Sequence, residues 1–207
     1  MVAPVRIVLV RHARPAAMYE GASLRAASRS LAELRHGRSI AMFDTDPGLT
    51  PTGLAQAEAM AEALAAAGPV SIRVSPLRRT RETAVPLERR WETTAVVEPA
   101  LGEIPSPAGD LAARTVWLRE TLPRRWSELG EELQAWRDSV IAALTASPED
   151  AVVVTHYVAI NAAVGAATGD DRVVVFAPDY CSRTVLDVVD GRLELVERGA
   201  EAVAPAR

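Results

Sequence analysis

The sequence is poor in several features, and each shortage excludes a class of protein. Cys181 is the only cysteine in 207 residues, which excludes an internal disulfide and a cysteine-based metal cluster. No apolar run is long enough to cross a bilayer. The N-terminus also lacks the basic region, apolar stretch and cleavage site of a signal peptide. We therefore expect a reducing, cytoplasmic location and no membrane partner.

An excess of positive charge is also missing. The formal net charge is −4, whereas a general nucleic-acid binder is usually basic overall or on one face. Lysine is absent, so all 23 lysine-plus-arginine positions are arginine. The arginine clusters at 78–81, 89–90 and 124–125 are typical of solvated helix faces. We expect no nucleic-acid partner.

What the sequence does have is 49% hydrophobic residues, arranged as alternating strands and helices. A fully buried strand is predicted at residues 5–10, and further strands are predicted at 70–74, 95–98 and 151–154. Helices are predicted at residues 51–67, 76–91 and 158–168, with Thr50 and Ser75 as N-caps, and helical material is predicted over 110–146. Asp190-Gly191, between strands at 183–189 and 193–198, predicts a hairpin. The pattern predicts a single α/β domain over 1–207: a three-layer α/β/α sandwich with a mainly parallel sheet and an antiparallel edge hairpin.

Two segments are candidate cap insertions in this domain, residues 18–45 and 108–125. The first is rich in arginine and serine, and it could form a helical lid over a pocket or a surface helix with solvated arginines. His36, in this segment, is favoured as a surface residue. Residues 200–207 predict a frayed tail.

Two of the three histidines stand where a predicted buried strand ends. His12 follows the apolar run that begins at Arg6, and His156 follows the run that begins at Ala151. Ligands bind open α/β sheets at the carboxyl ends of the strands. Arg11, beside the first histidine, offers planar donors that match phosphoryl oxygens. The pattern indicates a shared site for an anion.

Candidate partners for these histidines follow the other strands. A predicted helix N-terminus after Ser75-Pro76 favours an anion, and an arginine from this turn could close the far side of a phosphate. For Arg78 and Arg81 we favour a solvated position instead. Glu103, in the loop after the third strand, could protonate a leaving oxygen.

These residues together resemble a known family. Five motifs follow one another in an order similar to that of the histidine phosphatase superfamily, branch 1, the phosphoglycerate mutase-like group. They are Leu-Val-Arg11-His12, Leu49-Thr50-Pro-Thr-Gly53-Leu-Ala-Gln56-Ala, Ser75-Pro-Leu-Arg78-Arg79-Thr-Arg-Glu-Thr83-Ala, Glu103 and Val-Val-Thr155-His156. The similarity covers about residues 5–200.

The resemblance implies a role for each matching residue. His12 would attack phosphorus and carry the phosphoryl group, and Glu103 would act as general acid and then activate water. Arg11 and Arg79 would bind the phosphoryl oxygens, with His156 completing the pocket. Two permanent positive charges in the pocket make a metal or other cofactor unnecessary, so we expect none.

The sequence departs from the family pattern directly after each histidine. Ala13 replaces the usual glycine, and its methyl group would be strained if the backbone there needed a positive φ. Tyr157 replaces a common glycine, and it would either line the pocket and select substrate or pack against the sheet.

The resemblance implies a metal-independent phosphatase that hydrolyses a phosphomonoester of a small molecule through a phosphohistidine. One alternative is a phosphoglycerate mutase, although residues 14–18 lack the asparagine expected of a mutase after the first histidine motif. A catalytically weakened, phospho-ligand-binding member of the same fold is the other alternative, motivated by Ala13 and Tyr157. The oligomeric state stays open, with a homodimer as one option.

Overall fold

The computed structural model describes residues 3–16, 46–107 and 111–202. The predicted cap insertion at 18–45, part of the second one and the end of the predicted tail therefore lie outside the described residues. None of the helices within the described ranges is long and apolar enough to span a membrane.

The described chain alternates strands and helices. The strands are β1 Val5–Arg11, β2 Ser71–Val74, β3 Val96–Val97, β4 Ala151–Thr155, β5 Arg183–Val189 and β6 Arg192–Glu197. The helices are α1 Pro51–Ala65, α2 Arg78–Trp91, α3 Leu111–Thr121, α4 Glu131–Thr145 and α5 Tyr157–Thr168, with 3₁₀ turns at Pro99–Leu101 and Trp126–Glu128.

The six strands form one sheet in the order β3-β2-β4-β1-β5-β6. The first four run parallel, and β5 and β6 run antiparallel. Asp190 and Gly191 join β5 to β6 with φ values of 48° and 73°, the backbone that a tight hairpin turn requires. The predicted mainly parallel sheet with an antiparallel edge hairpin is confirmed.

Alternate residues of the central strands pack into two separate cores. Ile7 and Leu9 of β1 pack with α4 and α5 on one face, whereas Val10 packs with α1 and α2 on the other. All five residues of β4 are buried, because helices cover both faces of this strand. Each fully buried aliphatic side chain contributes about 1.5–3 kcal/mol. The predicted three-layer α/β/α sandwich is therefore confirmed.

Strand register brings three chain segments to one edge of the sheet. Arg11 pairs with Thr155, and Val74 pairs with Val154. The residues that follow these strands continue the ladder: His12 N–H donates to the Thr155 carbonyl (2.9 Å), and Ser75 N–H donates to the Val154 carbonyl (3.1 Å). His12, Ser75 and His156 therefore emerge side by side.

Of the two predicted helix N-caps, one is confirmed and the other is wrong. Thr50 is the N-cap of α1, since its Oγ1 accepts a bond from Gly53 N–H (3.0 Å) and Pro51 is the first helical residue. Ser75 as an N-cap is wrong, because α2 begins at Arg78 with Leu77 in the cap position. The hydroxyl of Ser75 instead contacts the His156 ring and the Leu77 N–H.

The helical material predicted at 110–146 is present and forms more than one element. The segment divides into α3, a 3₁₀ turn and α4. Pro123, which has no N–H and cannot continue a helix, lies two residues after the end of α3 at Thr121, and Gly130 is the N-cap of α4.

The frayed tail predicted at 200–207 is wrong for its first three residues, which are hydrogen-bonded to the rest of the protein. Ala202 N–H donates to the Ala177 carbonyl (2.8 Å), and the Ala200 carbonyl accepts from Asp179 N–H (2.9 Å). These backbone bonds hold residues 200–202 against the loop before β5.

Candidate functional site

His12 follows β1 directly and is 6% exposed. Its Nδ1 lies 2.8 Å from the carbonyl oxygen of Ala13. Because a carbonyl oxygen only accepts hydrogen bonds, Nδ1 carries the ring proton in the neutral imidazole. Nε2 is then the unprotonated nitrogen, and its lone pair is available to an electrophile.

The environment of His12 keeps its ring neutral. The pKa of His12 is lowered from its ordinary 6.5 to about 3, chiefly by burial and also by the positive charges of Arg79 and Arg11, which together outweigh the raising effect of the Ala13 carbonyl. At pH 7 the imidazole therefore has the protonation state that a nucleophile needs.

His156 follows β4 and is completely buried. Its Nδ1 lies 3.3 Å from Arg79 Nη2, and its Nε2 lies 2.7 Å from Ser75 Oγ. A guanidinium group only donates, so Nδ1 accepts and Nε2 donates its proton to the serine. Burial first, and then electrostatic repulsion from His12 and Arg79, lowers the pKa of His156 well below its usual value. The two imidazole centroids are 5.2 Å apart.

Arg79 lies in the first turn of α2 and is 3% exposed. Asp46 holds this turn, since its carboxylate accepts bonds of 2.8 and 2.9 Å from the Arg78 N–H. The same carboxylate lies 3.7 Å from Arg79 Nη1. The charge of Asp46 therefore favours both the helix N-terminus and the buried guanidinium.

Arg11 is held by two aromatic rings. Its Cζ lies 4.0 Å from the ring centroid of Tyr180 and 5.1 Å from that of Tyr157, and its Nη1 donates to the Pro178 carbonyl (2.8 Å). Stacking on aromatic faces restrains a guanidinium while leaving donors at its edge. Tyr157 thus packs on Arg11. Sequence reasoning missed Tyr180, which lies in an irregular loop without a pattern that signals a site.

Glu103 lies just after the 3₁₀ turn Pro99–Leu101, and its Oε1 accepts from the Ile104 N–H (3.0 Å). Burial raises the pKa of Glu103, and this effect outweighs the opposing Ile104 bond and the charges of Arg79, Arg114 and Arg11. The raised pKa favours a protonated carboxyl group, as a general acid requires.

One open cavity of about 490 Å³ collects these side chains. Four of the five predicted site residues line it: Arg11, His12, Arg79 and Glu103. The fifth, His156, lies behind them against Arg79. Further lining residues are Pro15, Arg114, Thr115, Leu118, Arg119, Leu122, Tyr157, Val158 and Tyr180. Tyr157 therefore lines the cavity and also packs on the Arg11 guanidinium.

The motif around Thr50 supports the loop after His12. The Arg14 carbonyl accepts from the backbone N–H (3.0 Å) and the hydroxyl (3.1 Å) of Thr50, and the Arg14 N–H donates to Gln56 Oε1 (3.0 Å). The motif thus acts by fixing backbone, and none of its members lines the cavity.

Ala13 is accommodated without backbone strain. It is completely buried, and its φ is not positive. Its N–H donates to Thr83 Oγ1 (2.9 Å), whose hydroxyl donates to the Arg79 carbonyl (2.6 Å). Thr83 therefore links the His12 loop to α2, a role that sequence reasoning did not assign.

The neighbouring arginines of α2 lie outside the site. Arg78 pairs with Glu82 (2.6 Å) with over half of its side chain exposed, and Arg81 is exposed. Across residues 3–16, 46–107 and 111–202, no group of three or more His, Cys, Asp or Glu side chains is placed to hold a metal ion.

Comparison with known proteins identifies the family to which the chain belongs. Residues 7–201 match the family model described as histidine phosphatase superfamily (branch 1). No curated protein matches the chain. Similar solved structures include a mycobacterial glucosyl-3-phosphoglycerate phosphatase in complex with VO3, with 23% identity and a TM-score of 0.63 over 95% of this chain and 100% of that one.

Two further structures share the fold. A phosphoserine phosphatase from Entamoeba histolytica, in complex with 3-phosphoglyceric acid, has 17% identity and a TM-score of 0.65 over 94% of this chain and 96% of that one. Mycobacterial hydrolase 1 has 21% identity and a TM-score of 0.64 over 97% of this chain and 100% of that one.

Proposed function

Since the chain belongs to branch 1 of the histidine phosphatase superfamily, we propose that it is a metal-independent phosphatase that hydrolyses a phosphomonoester of a small molecule through a phosphohistidine on His12. One observation carries this proposal. The hydrogen bond from His12 Nδ1 to the Ala13 carbonyl leaves the Nε2 of His12 unprotonated, and His12 lines the same cavity as Arg11 and Arg79.

In the first step Nε2 of His12 attacks phosphorus, and the bond from phosphorus to the ester oxygen breaks. Arg11 and Arg79 stabilise the charge on the phosphoryl oxygens, and His156 completes this pocket behind Arg79. Glu103 gives its proton to the leaving oxygen, so the product is a neutral alcohol. His12 now carries the phosphoryl group.

In the second step water attacks the phosphohistidine. The Glu103 carboxylate, deprotonated by the first step, takes a proton from this water. Inorganic phosphate leaves, and both His12 and Glu103 return to their starting states. Neither step needs a metal ion, because the arginines provide permanent positive charge at the phosphoryl oxygens.

The relatives support a small phosphorylated substrate. Two of the similar structures are phosphatases named for small phosphorylated compounds, glucosyl-3-phosphoglycerate and phosphoserine. The unstrained backbone at Ala13 removes one of the two reasons for the alternative of a weakened, binding-only protein.

The experiment is phosphate release from p-nitrophenyl phosphate, with and without a chelator. We expect chelator-resistant turnover, a His12-phosphorylated protein detectable by mass spectrometry, and loss of both in His12→Ala. Arg79→Gln should lower kcat by about 10²–10³-fold, as removal of one donor to a transition-state oxyanion does. Arg81→Gln is the matched control, because Arg81 is exposed on the same helix.

Three outcomes would contradict parts of this proposal. Intact activity in His12→Ala would exclude the phosphohistidine mechanism. Binding of a phosphorylated ligand without phosphoenzyme or turnover would favour the binding-only alternative. Interconversion of 3-phosphoglycerate and 2-phosphoglycerate in preference to phosphate release would favour a mutase.

A further inference from the structure

The proposed mechanism gives no role to the two tyrosines that line the cavity, Tyr157 and Tyr180. Both rings contact the same group, because the Cζ of Arg11 lies 4.0 Å from the ring centroid of Tyr180 and 5.1 Å from that of Tyr157. The rings come from different elements, since Tyr157 is the first residue of α5 and Tyr180 lies in the loop before β5. Two distant parts of the chain therefore converge on one arginine of the proposed phosphoryl site.

The two arginines of that site are held in different ways. The guanidinium of Arg79 lies beside polar side chains, with the Asp46 carboxylate at 3.7 Å and His156 Nδ1 at 3.3 Å. The contacts that the described residues make with the Arg11 guanidinium are instead the two rings and the Pro178 carbonyl, which accepts from Nη1 at 2.8 Å. Arg11 therefore depends on aromatic rings for the support that Arg79 receives from polar side chains.

Support by rings leaves the positive charge of Arg11 intact. The face of an aromatic ring attracts a cation but has no net charge, so it restrains the guanidinium without neutralising it. A carboxylate would instead compete with the substrate for the guanidinium donors. The Nε of Arg11 is buried and has no acceptor among the described residues, so the rings leave at least one donor uncommitted. The attraction of a desolvated ring is similar in size to the rotamer freedom that a restrained arginine loses.

Both rings are themselves fixed to the site. The Cys181 N–H, directly after Tyr180, donates to the Arg11 carbonyl (2.9 Å). The Tyr180 ring also contacts the His12 ring, with centroids 5.8 Å apart. Tyr157 belongs to the first turn of α5, which begins two residues after the end of β4. The rings therefore lie on backbone that is tied to β1 and β4, the strands that the two histidines follow.

We propose that Tyr157 and Tyr180 are positioning residues that hold the guanidinium of Arg11 in place for the phosphoryl oxygens. The inference rests on the proposed phosphatase function and identifies residues that set the strength of its phosphoryl site. Tyr157, where the sequence departs from the family pattern, thus supports the site, and the second reason for the binding-only alternative is removed.

The first test compares each ring with an apolar side chain. Tyr180→Leu and Tyr157→Leu should each lower kcat/KM for p-nitrophenyl phosphate by about 5–30-fold, as loss of a desolvated cation–π contact does. The loss should be larger for Tyr180, whose ring is closer to Arg11. Tyr180→Phe and Tyr157→Phe should stay within about two-fold, because phenylalanine keeps the ring face. Trp91→Leu, at the end of α2 and outside the cavity, is the control and should leave kcat/KM unchanged.

A second test separates positioning from general packing. In an Arg11→Gln background the same leucine substitutions should change kcat/KM by less than about two-fold, since the group that they position is gone. Trifluorophenylalanine at position 180 keeps the shape of the ring but weakens the negative charge of its face, so it should lower kcat/KM relative to Tyr180→Phe. Tyr180→Met and Tyr157→Met give a second replacement without a ring, and thermal unfolding establishes that each variant is folded.

Calorimetry with inorganic phosphate repeats the comparison without turnover and separates this inference from the phosphatase proposal. Phosphate affinity that falls in the leucine variants only when Arg11 is present, in a protein without turnover, would support the inference and overturn the phosphatase function. Turnover with equal losses in the unmodified and Arg11→Gln backgrounds would overturn the inference and leave the phosphatase function in place. Phenylalanine variants as damaged as the leucine variants would also overturn it, because the tyrosine hydroxyl groups would then be responsible.

Discussion

At the scale of single residues, the proposed role of Glu103 predicts a dependence on the leaving group. Glu103→Gln removes the proton donor, so kcat/KM for an alkyl phosphate should fall by about 10²–10⁴-fold. For p-nitrophenyl phosphate the fall should be much smaller, since nitrophenolate leaves without a proton. Steady-state kinetics with both substrates checks this, with Glu120→Gln on exposed α3 surface as the control. Equal losses for the two substrates would contradict the general-acid role.

A second residue-scale prediction concerns Ala13. Because its φ is not positive, glycine offers no relief of strain, and Ala13→Gly should leave kcat/KM within about two-fold. The variant loses a buried methyl group and gains freedom in the unfolded chain, so the free energy of unfolding should fall by about 1 kcal/mol. Urea denaturation and steady-state kinetics measure the two effects. Ala163→Gly, another buried alanine that does not line the cavity, controls for lost packing.

A tenfold gain in turnover for Ala13→Gly would contradict this reasoning. It would mean that the methyl group obstructs the phosphoryl position.

Residues that belong to a local pattern could be foreseen at this scale, and others could not. Arg11 and His12 stand out because an apolar run ends in charged and polar residues, and the motif order identified Arg79 and Glu103. Tyr180 and the contact between Ser75 and His156 have no such signal. They depend on which distant segments meet at the sheet edge, and neighbouring residues in the sequence do not encode that.

At the scale of elements, the fit of α1 against the loop after His12 predicts that Gly53 cannot be enlarged. A Cβ at Gly53 would overlap the carbonyl oxygen of Arg14 and lie 3.1 Å from its carbonyl carbon, so backbone would have to move. We expect Gly53→Ala to lower the free energy of unfolding by about 1–3 kcal/mol, as overpacking does, and to lower kcat by displacing the His12 loop. Urea denaturation and kinetics test both.

The control for Gly53→Ala is Gly130→Ala at the N-cap of α4. A Cβ there meets nothing within 4 Å, and φ is −63°. Its cost should be limited to the weaker capping preference of alanine, about 1 kcal/mol or less, with unchanged kinetics. Equal effects of the two substitutions would show that the contact with Arg14 is unimportant.

Most element types followed from the sequence, and the errors have identifiable causes. Hydrophobic periodicity does not register a single proline in a helical pattern, so the helical material predicted over 110–146 came without the position of the break near Pro123. Ser75-Pro76 has the composition of a helix start, but tertiary contact with His156 engages the serine hydroxyl and α2 begins at Arg78.

At the scale of the whole molecule, the strand order of the sheet brings the site residues together. Placing β4 between β1 and β2 brings His156 between the ends of the other two strands. Alternation of strands and helices predicts a parallel sheet but leaves strand order open, because several orders bury the same apolar faces. The contact of both His12 and Arg79 with His156 is thus a consequence of topology.

This arrangement buries two neutral imidazoles, and the molecule should therefore lose stability in mild acid. The pKa of His12 is about 3 in the folded protein against 6.5 when unfolded, so its contribution is complete above about pH 6.5 and is lost as pH falls towards 3. The loss between pH 7 and pH 5 is about 2 kcal/mol for His12. His156, with its lowered pKa, acts in the same direction, and Glu103, with its raised pKa, opposes both. Urea denaturation at several pH values should show a smaller pH dependence in His12→Asn than in the unmodified protein, with His36→Asn as the control. An unchanged pH dependence in His12→Asn would mean that its imidazole becomes protonated in the folded state.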